Sequence, residues 1–361
     1  MSCTETLREA IWTQRGTVGR LGSLALRPLS GLFRLGVGAR NLGYRVGLLR
    51  VRKAPMPIVS VGNLVVGGTG KTPFTLWLSR SLAARGLRVG ILLRGYRGTS
   101  KGVAIVSRGQ GPELEPSVVG DEAVMLAKSF SGPVVTAARR VDGAAALAEL
   151  GCDVAVLDDG FQHRAIERVF DIVLVDERMG PLLPAGPARE GPSALRRADA
   201  VLLVSRGDAA GPAEAPLSAA GKHVHRVRFE ASELVEAAGR QWRKVPLGSL
   251  AGRRVVAVVG VAKPDSFYDL LRGWDATIED VFEFPDHHRY TGADWQNISR
   301  SGLQADLVVT TEKDLVKLGE FPFATGKLVA LRIVPYVERS EELIEAVLAR
   351  VERPTALGGT A

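Results

Sequence analysis

Glycines, a lysine and a threonine stand together at Gly67-Gly68-Thr69-Gly70-Lys71-Thr72, a combination suited to holding phosphate. Glycine N–H groups leave room for phosphate oxygens, and the start of a following helix adds free N–H groups of its own. A lysine in this place reaches the β- and γ-phosphates, and the hydroxyl beside it binds Mg2+. The usual spacing asks for a further glycine five residues before Gly70, where this chain has Val65. Gly67, Gly68 and Gly70 still keep side chains out of the loop. Such a site also needs an acid at the end of a nearby strand. Asp158 and Asp159 follow the apolar run Asp153–Leu157 and precede Gly160, Phe161, Gln162 and His163. One carboxylate can hold Mg2+ or its water while the other orients the loop. A capping Asp-Gly turn would account for only one of the two.

Three further groups carry titratable side chains. Gly120-Asp121-Glu122 precedes the helical stretch Ala123–Ser129, where an acid is a favourable partner for the helix dipole. Asp286-His287-His288 follows Phe282-Glu283-Phe284-Pro285, and a His–Asp pair can activate a hydroxyl by accepting or relaying its proton. Zinc would lack a third ligand at that spacing. Thr311-Glu312-Lys313-Asp314 reads as a helix start capped by Thr311, with contact to nucleotide across a cleft as the alternative.

The elements that must position these groups alternate between strand and helix. Pro57–Gly62 is a β-rich run ending at the glycine loop, and Thr72–Arg85 reads as the helix after it. Further apolar strands are expected at Arg88–Leu93, Pro133–Thr136, Asp153–Leu157, Asp171–Val175 and Asp199–Val204, with helical Val141–Leu150 among them. Continuous apolar strands alternating with helices imply a P-loop NTPase-type α/β fold, its mostly parallel sheet covered by helices on both faces. The Gly/Ala/Pro-rich stretch Gly207–Gly221 reads as a linker. Beyond it, strands at Arg254–Val259 and Asp306–Thr310 and helices at Pro264–Arg272 and Glu341–Val351 suggest a second, smaller α/β domain. The resulting division is 1–53, 54–210, 211–353 and a frayed tail at 354–361.

With 47 Lys and Arg against 39 Asp and Glu, the 361-residue chain carries +8, which favours an anionic partner: nucleotide, nucleic acid or acidic membrane. The two cysteines, Cys3 and Cys152, are too few and too far apart for a disulfide framework or metal site, as in a reducing cytosol. The basic excess concentrates in residues 1–53, where arginines interrupt a leucine-rich sequence. No apolar run there approaches the ~20 residues of a spanning helix, and no secretory signal is present. Arg20, Arg27 and Arg34 recur at a heptad interval, which suits an amphipathic helical segment lying on an anionic leaflet. A basic helix packed on the protein's own core is the alternative, and the glycines and Pro28 argue against one long helix. No aromatic-interleaved surface supports a nucleic-acid partner, and no protein partner is signalled.

Taken in order, Val61–Pro73 (VGNLVVGGTGKTP), Arg94–Arg97 (RGYR), Val119–Glu122 (VGDE), Leu157–His163 (LDDGFQH), Leu183–Glu190 (LPAGPARE), Phe284–Tyr290 (FPDHHRY) and Thr311–Asp314 (TEKD) resemble the tetraacyldisaccharide 4′-kinases, lipid A pathway enzymes of Gram-negative bacteria. The non-glycine at Val65 is itself family-like, whereas Ala188 stands where leucine is expected, a change that bears on packing. The resemblance implies transfer of phosphate from ATP, with Mg2+, to the 4′-hydroxyl of a tetraacylated glucosamine disaccharide 1-phosphate, giving lipid IVA and ADP. It places the chain at the cytoplasmic face of the inner membrane, with residues 1–53 as the docking element for the acylated substrate. By motif it implies Asp121 as catalytic base, His287 as its partner and Lys71 as the phosphate lysine. His287 is preferred to His288 because it directly follows Asp286. Thr72, Asp158 and Asp159 would stand on the metal side, with Glu122 a further group there. Gly67, Gly68, Thr69, Gly70, Arg189 and Glu190 would adjoin the nucleotide, and Arg94 and Tyr96 the phosphates or substrate. The rival is a membrane-cycling P-loop ATPase acting as a switch. Those proteins carry a second lysine at the start of the loop, where this chain has Val66.

Overall fold

Ile-Val-Ser-Val-Gly-Asn is buried at all six positions, because strand β1 (Ile58–Asn63) lies in the middle of a wide sheet. A computed structural model describes residues 3–176, 180–205, 223–261 and 264–352. The Gly207–Gly221 stretch and the 354–361 tail lie outside the described residues. Among those described, thirteen strands form one sheet. After β1 come β2 (Val89–Leu93), β3 (Val103–Arg108), β4 (Pro133–Ala137), β5 (Val154–Leu157), β6 (Phe170–Val175), β7 (Ala200–Val204), β8 (His223–Ala238), β9 (Gln241–Val245), β10 (Arg254–Val259), β11 (Thr277–Glu283), β12 (Leu307–Thr311) and β13 (Leu328–Val337). The spatial order is β11-β10-β12-β13-β8-β7-β6-β1-β5-β2-β4-β3, with β9 hairpinned onto β8.

The expected strands are present and, from β4 to β7, pair in parallel, with β3 closing one edge antiparallel. β8 has no counterpart in the apolar pattern. Its first residues pair in parallel with β7, and its next ones pair antiparallel with β13, so one strand joins two parallel sets. Helices α3 (Lys71–Ala83), α5 (Asp121–Ser129, preceded by the short α4, Pro116–Val119) and α6 (Arg140–Glu149) cover the first set. Around the second lie α7 (Asp265–Gly273), α8 (Gly292–Gly302) and α9 (Glu312–Leu318), while α10 (Ser340–Val351) packs back against α3 of the first set. Val59, Val61, Phe74 and Leu78 share one core with Val256, Val258 and Leu315 from the far side of β8.

At the N-terminus, helices α1 (Cys3–Thr13) and α2 (Gly16–Arg45) pack on each other as a helical hairpin, with Gly19 against Ala10 and Gly22 against Ile11. The segment breaks once, beside Gly16 at φ 68°, whereas Pro28 and the later glycines do not interrupt α2, which runs 30 residues. Polar side chains supply several of its contacts with the rest of the chain, and Arg164 lies over the Tyr44 ring at 5.0 Å. Ser23 Oγ donates to Ala185 O at 2.9 Å, and Ser30 Oγ to Leu182 O at 2.8 Å. Asn41 Nδ2 donates to Glu190 Oε2 at 2.9 Å. Leu21, Leu24, Leu32, Leu35 and Leu42, at helical spacing, point outward instead, Leu35 with 70% of its surface exposed.

Candidate active site

The chain leaves β1 still extended. Val65 pairs antiparallel with Ala188, Val66 N–H donates to Pro187 O at 2.8 Å, and Arg189 N–H donates to Leu64 O at 2.7 Å. This is why a buried valine serves five residues before Gly70: the backbone has not yet begun to turn. Asn63 Nδ2 then donates to Thr69 Oγ1 at 2.9 Å and fixes the loop from beneath. Gly70 caps α3 in the left-handed region at φ 82°. A Cβ there would lie 2.1 Å from Phe229 Cζ of β8, so the position is closed to larger residues both sterically and by backbone strain.

β5 pairs with β1 and delivers Asp158 and Asp159 beside the loop, at the strand ends where open parallel sheets bind ligands. Thr75 Oγ1 donates to Asp158 Oδ1 at 2.9 Å, and Thr72 Oγ1 to Oδ2 at 3.3 Å. Burial pushes the Asp158 carboxyl up to about 7; Glu122 and Asp159 add to this, while Lys71 and the Thr75 hydroxyl oppose it. Asp159 behaves oppositely. Its own burial works to raise its pKa, but Lys71 at 3.6 Å and Arg189 at 2.9 Å outweigh that and hold it below the usual carboxylate range.

A divalent cation finds hard oxygen donors at Thr72 and Asp158, in a spot where crowded carboxylates would be relieved by positive charge. No group of three His, Cys, Asp or Glu side chains is arranged to hold a metal among the described residues. A cation here would complete its shell with nucleotide oxygens and water, the habit of Mg2+ rather than of a caged ion. The raised Asp158 pKa carries a stability consequence. A carboxyl protonated more readily folded than unfolded stabilises the fold below an ordinary value near 3.9, and that contribution is lost as pH rises through about 7. Asp158→Asn should therefore raise the melting temperature of nucleotide-free protein at pH 8, and the gain should fade by pH 5. Scanning calorimetry at the two pH values checks this; an equal gain at both would contradict it.

The second cluster joins the two parallel strand sets. Asp121 is the first residue of α5, and Gly120 before it is essential: a Cβ there would sit 2.4 Å from Tyr96 O, with φ at 91°. His287 Nδ1 lies 3.4 Å from Asp121 Oδ2, and Lys317 Nζ lies 3.4 Å from the same oxygen. Tyr96 meets the His287 ring edge-on at 5.6 Å, and Arg97 Nη1 donates to His287 O at 3.1 Å. His288 turns away to Asp294, 3.1 Å from its Nε2. The Thr311-Glu312-Lys313-Asp314 segment proves to be more than a cap. Thr311 Oγ1 does accept from Asp314 N–H, while Glu312 pairs with Arg332 at 2.7 Å and Lys313 reaches Asp286 and His287.

The structure thus brings Lys71, Thr72, Asp158, Asp159 and Arg189 together, and separately Asp121, His287 and Tyr96. Glu122 stands in the first turn of α5, near enough to act on Asp158. Arg94 is exposed, and its charge reaches buried Arg140, which in turn feels Asp158 and Asp159. Glu190 is not drawn into the loop's contacts. Its buried carboxylate receives two hydrogen bonds from Arg197, at 2.9 and 3.0 Å, and one from Asn41 of α2. Sequence reasoning missed Lys317 and Arg140. The i,i+4 spacing of Lys313 and Lys317 after a capped helix start was the signal for the first; Arg140, one of many arginines, offered none.

Comparison with known proteins agrees with this geometry. The model of a family described as tetraacyldisaccharide-1-P 4′-kinase matches residues 22–352. A tetraacyldisaccharide 4′-kinase from Anaeromyxobacter dehalogenans (strain 2CP-C) is 39% identical over 360 residues, covering 94% of each chain. One from Syntrophus aciditrophicus is 40% identical over 317 residues, 82% of this chain and 84% of its own. Among solved structures, LpxK from Aquifex aeolicus in complex with ATP superposes with a TM-score of 0.76 at 32% identity, covering 91% of this chain and 99% of that one.

Proposed function

The chain belongs to the tetraacyldisaccharide 4′-kinase family and uses ATP to phosphorylate the 4′-hydroxyl of the lipid A precursor, and from that premise we propose how its own residues divide the work. Gly67–Thr72 holds the triphosphate through backbone N–H groups, with Lys71 on the β- and γ-phosphates. Thr72 and Asp158 would hold Mg2+, which when bound would neutralise phosphate charge. Asp159 keeps Lys71 and Arg189 at the loop, and Glu122 adds negative charge on the metal side. Asp121 accepts the proton of the 4′-hydroxyl as that oxygen bonds to the γ-phosphorus and the bond from the γ-phosphorus to the bridging oxygen breaks, releasing ADP. His287 orients Asp121, and Arg94 and Tyr96 border the acceptor.

The observation that supports this division most is the His287–Asp121 contact, which joins a loop beyond β11 to the helix beside the metal-side acids. Residues 54–210 then form the kinase domain, and 211–353 form a smaller domain that closes over the nucleotide. A kinase so built consumes ATP in step with acceptor. Equal consumption without acylated disaccharide would favour the ATPase switch.

The N-terminal hairpin docks on the cytoplasmic face of the inner membrane. No helix among the described residues is long and apolar enough to cross a membrane. What supports docking is the reversed amphipathicity of α2: its buried residues are the small Gly19, Ser23, Ser30 and Gly43, while leucines flanked by exposed Arg20, Arg27 and Arg34 face outward. Leu32→Glu/Leu35→Glu should sharply reduce sedimentation with vesicles containing anionic phospholipid and leave the melting temperature unchanged. Undiminished sedimentation would contradict docking through this face.

A further inference from the structure

We propose that Lys313 is a positioning residue for the kinase reaction, holding the His287 ring in the tautomer that donates from Nδ1 to Asp121. The inference rests on the assignment of Asp121 and His287 as the acid–base pair. Lys313 Nζ lies 3.0 Å from His287 Nε2 and 2.6 Å from Asp286 Oδ1. A lysine ammonium has donors and no acceptor, so Nε2 must take the accepting role, and the ring proton sits on Nδ1. That proton faces Asp121 Oδ2 at 3.4 Å. The opposite tautomer would aim an N–H at the ammonium and a lone pair at the carboxylate, unfavourable at both ends.

The surroundings fix this arrangement. Asp286, beside His287 in the chain, balances the Lys313 charge, and the Lys313 side chain is only 16% exposed. Helix α9 sets Lys313 and Lys317 one turn apart. Each therefore addresses a different member of the pair, Lys313 the imidazole and Lys317 the carboxylate. Tyr96 closes the ring's edge, and Arg97 holds the His287 carbonyl while the residue sits at φ 63°. The ring thus has its Nδ1 and Nε2 contacts dictated from two separate helices, α5 and α9.

The test uses the full chain labelled with 15N-histidine, its His287 signals identified by their loss in His287→Gln. Wild type should show Nδ1 protonated and Nε2 bare. Lys313→Met should shift His287 towards the other tautomer. It should also lower kcat by roughly ten- to a hundredfold, the scale on which losing the partner that fixes a histidine's tautomer lowers activity at metal sites, with KM for ATP unchanged. Lys313→Arg, also donor-only, should retain the wild-type signature and most of the turnover. An unaltered nitrogen pattern in Lys313→Met would overturn the inference, as would an altered pattern with normal kcat. If Lys313→Met does not fold, loss of the Nδ1–H signature in Lys313→Arg would overturn it. Normal kcat in His287→Gln would instead defeat the acid–base assignment, a separable result.

Discussion

Asparagine at position 121 is expected to lower kcat by roughly a hundred- to ten-thousandfold, the range a positioned base contributes, with KM for ATP near wild type. Burial alone would raise the Asp121 pKa, but the hydrogen bond from His287 and the charges of Lys317 and Lys313 hold it below the ordinary carboxylate range. The group is therefore ionised at neutral pH and free to accept a proton. Asparagine keeps the shape at the start of α5 but offers no basic oxygen, and it leaves the glycine loop untouched. The same depressed pKa predicts a stability signature. Ionised Asp121 stabilises the fold above its unfolded value, and that contribution is lost as pH falls through the lower folded value. The variant should thus melt lower than wild type at pH 7, with the difference closing below about pH 4. Steady-state kinetics with saturating acceptor check the first effect; near-normal turnover would exclude Asp121 as the base.

Lys71→Ala should cost on the order of a thousandfold in turnover, the upper range for loss of one preorganised donor at developing charge. Unlike the Asp121 change, it should also raise KM for ATP. Without nucleotide, Lys71 Nζ rests 3.6 Å from Asp159 Oδ1, a loose pairing on a side chain only 12% exposed. That separation leaves the ammonium able to turn to the phosphates, while Arg189, with its Nη1 3.0 and 2.9 Å from the two Asp159 oxygens, keeps the carboxylate in place. Removing the lysine deletes the mobile charge and spares its anchor, so folding should survive. Isothermal titration with ATP together with a turnover assay reads both effects; a variant that remains active would overturn the loop assignment.

The donor half of the site was legible because its chemistry is local in sequence. Strand, glycine loop, lysine and helix follow one another without a break, and Asp158-Asp159 stand at the end of a plainly apolar strand. The acceptor half was legible only through resemblance to a family, since Asp121 by itself reads as a helix-start acid and His287 as a loop histidine. What unites them is β8. Its polar sequence, His223-Val-His-Arg-Val-Arg-Phe-Glu, carries no run of apolar residues, because the strand earns its place by pairing on both sides and by lending Phe229 to the glycine loop. The N-terminal arginines and leucines suggested a membrane-facing helix. The small residues that turn those leucines outward, Gly19, Ser23 and Ser30, became meaningful only once their partners at Ala10, Ala185 and Leu182 were placed. Glu190 shows the converse: motif position set it beside the nucleotide, while Arg197 and Asn41 engage its carboxylate.

The most direct test follows the γ-phosphate itself. Wild type and Asp121→Asn are each incubated with ATP labelled in the γ-position, Mg2+ and tetraacylated disaccharide 1-phosphate in detergent micelles, and the label is traced to lipid or water. The wild-type label should appear at the 4′-oxygen of the lipid with little inorganic phosphate, and Asp121→Asn should bind ATP yet transfer almost none. Label released mainly to water by wild type, or equal transfer by both proteins, would contradict a lipid kinase working through Asp121.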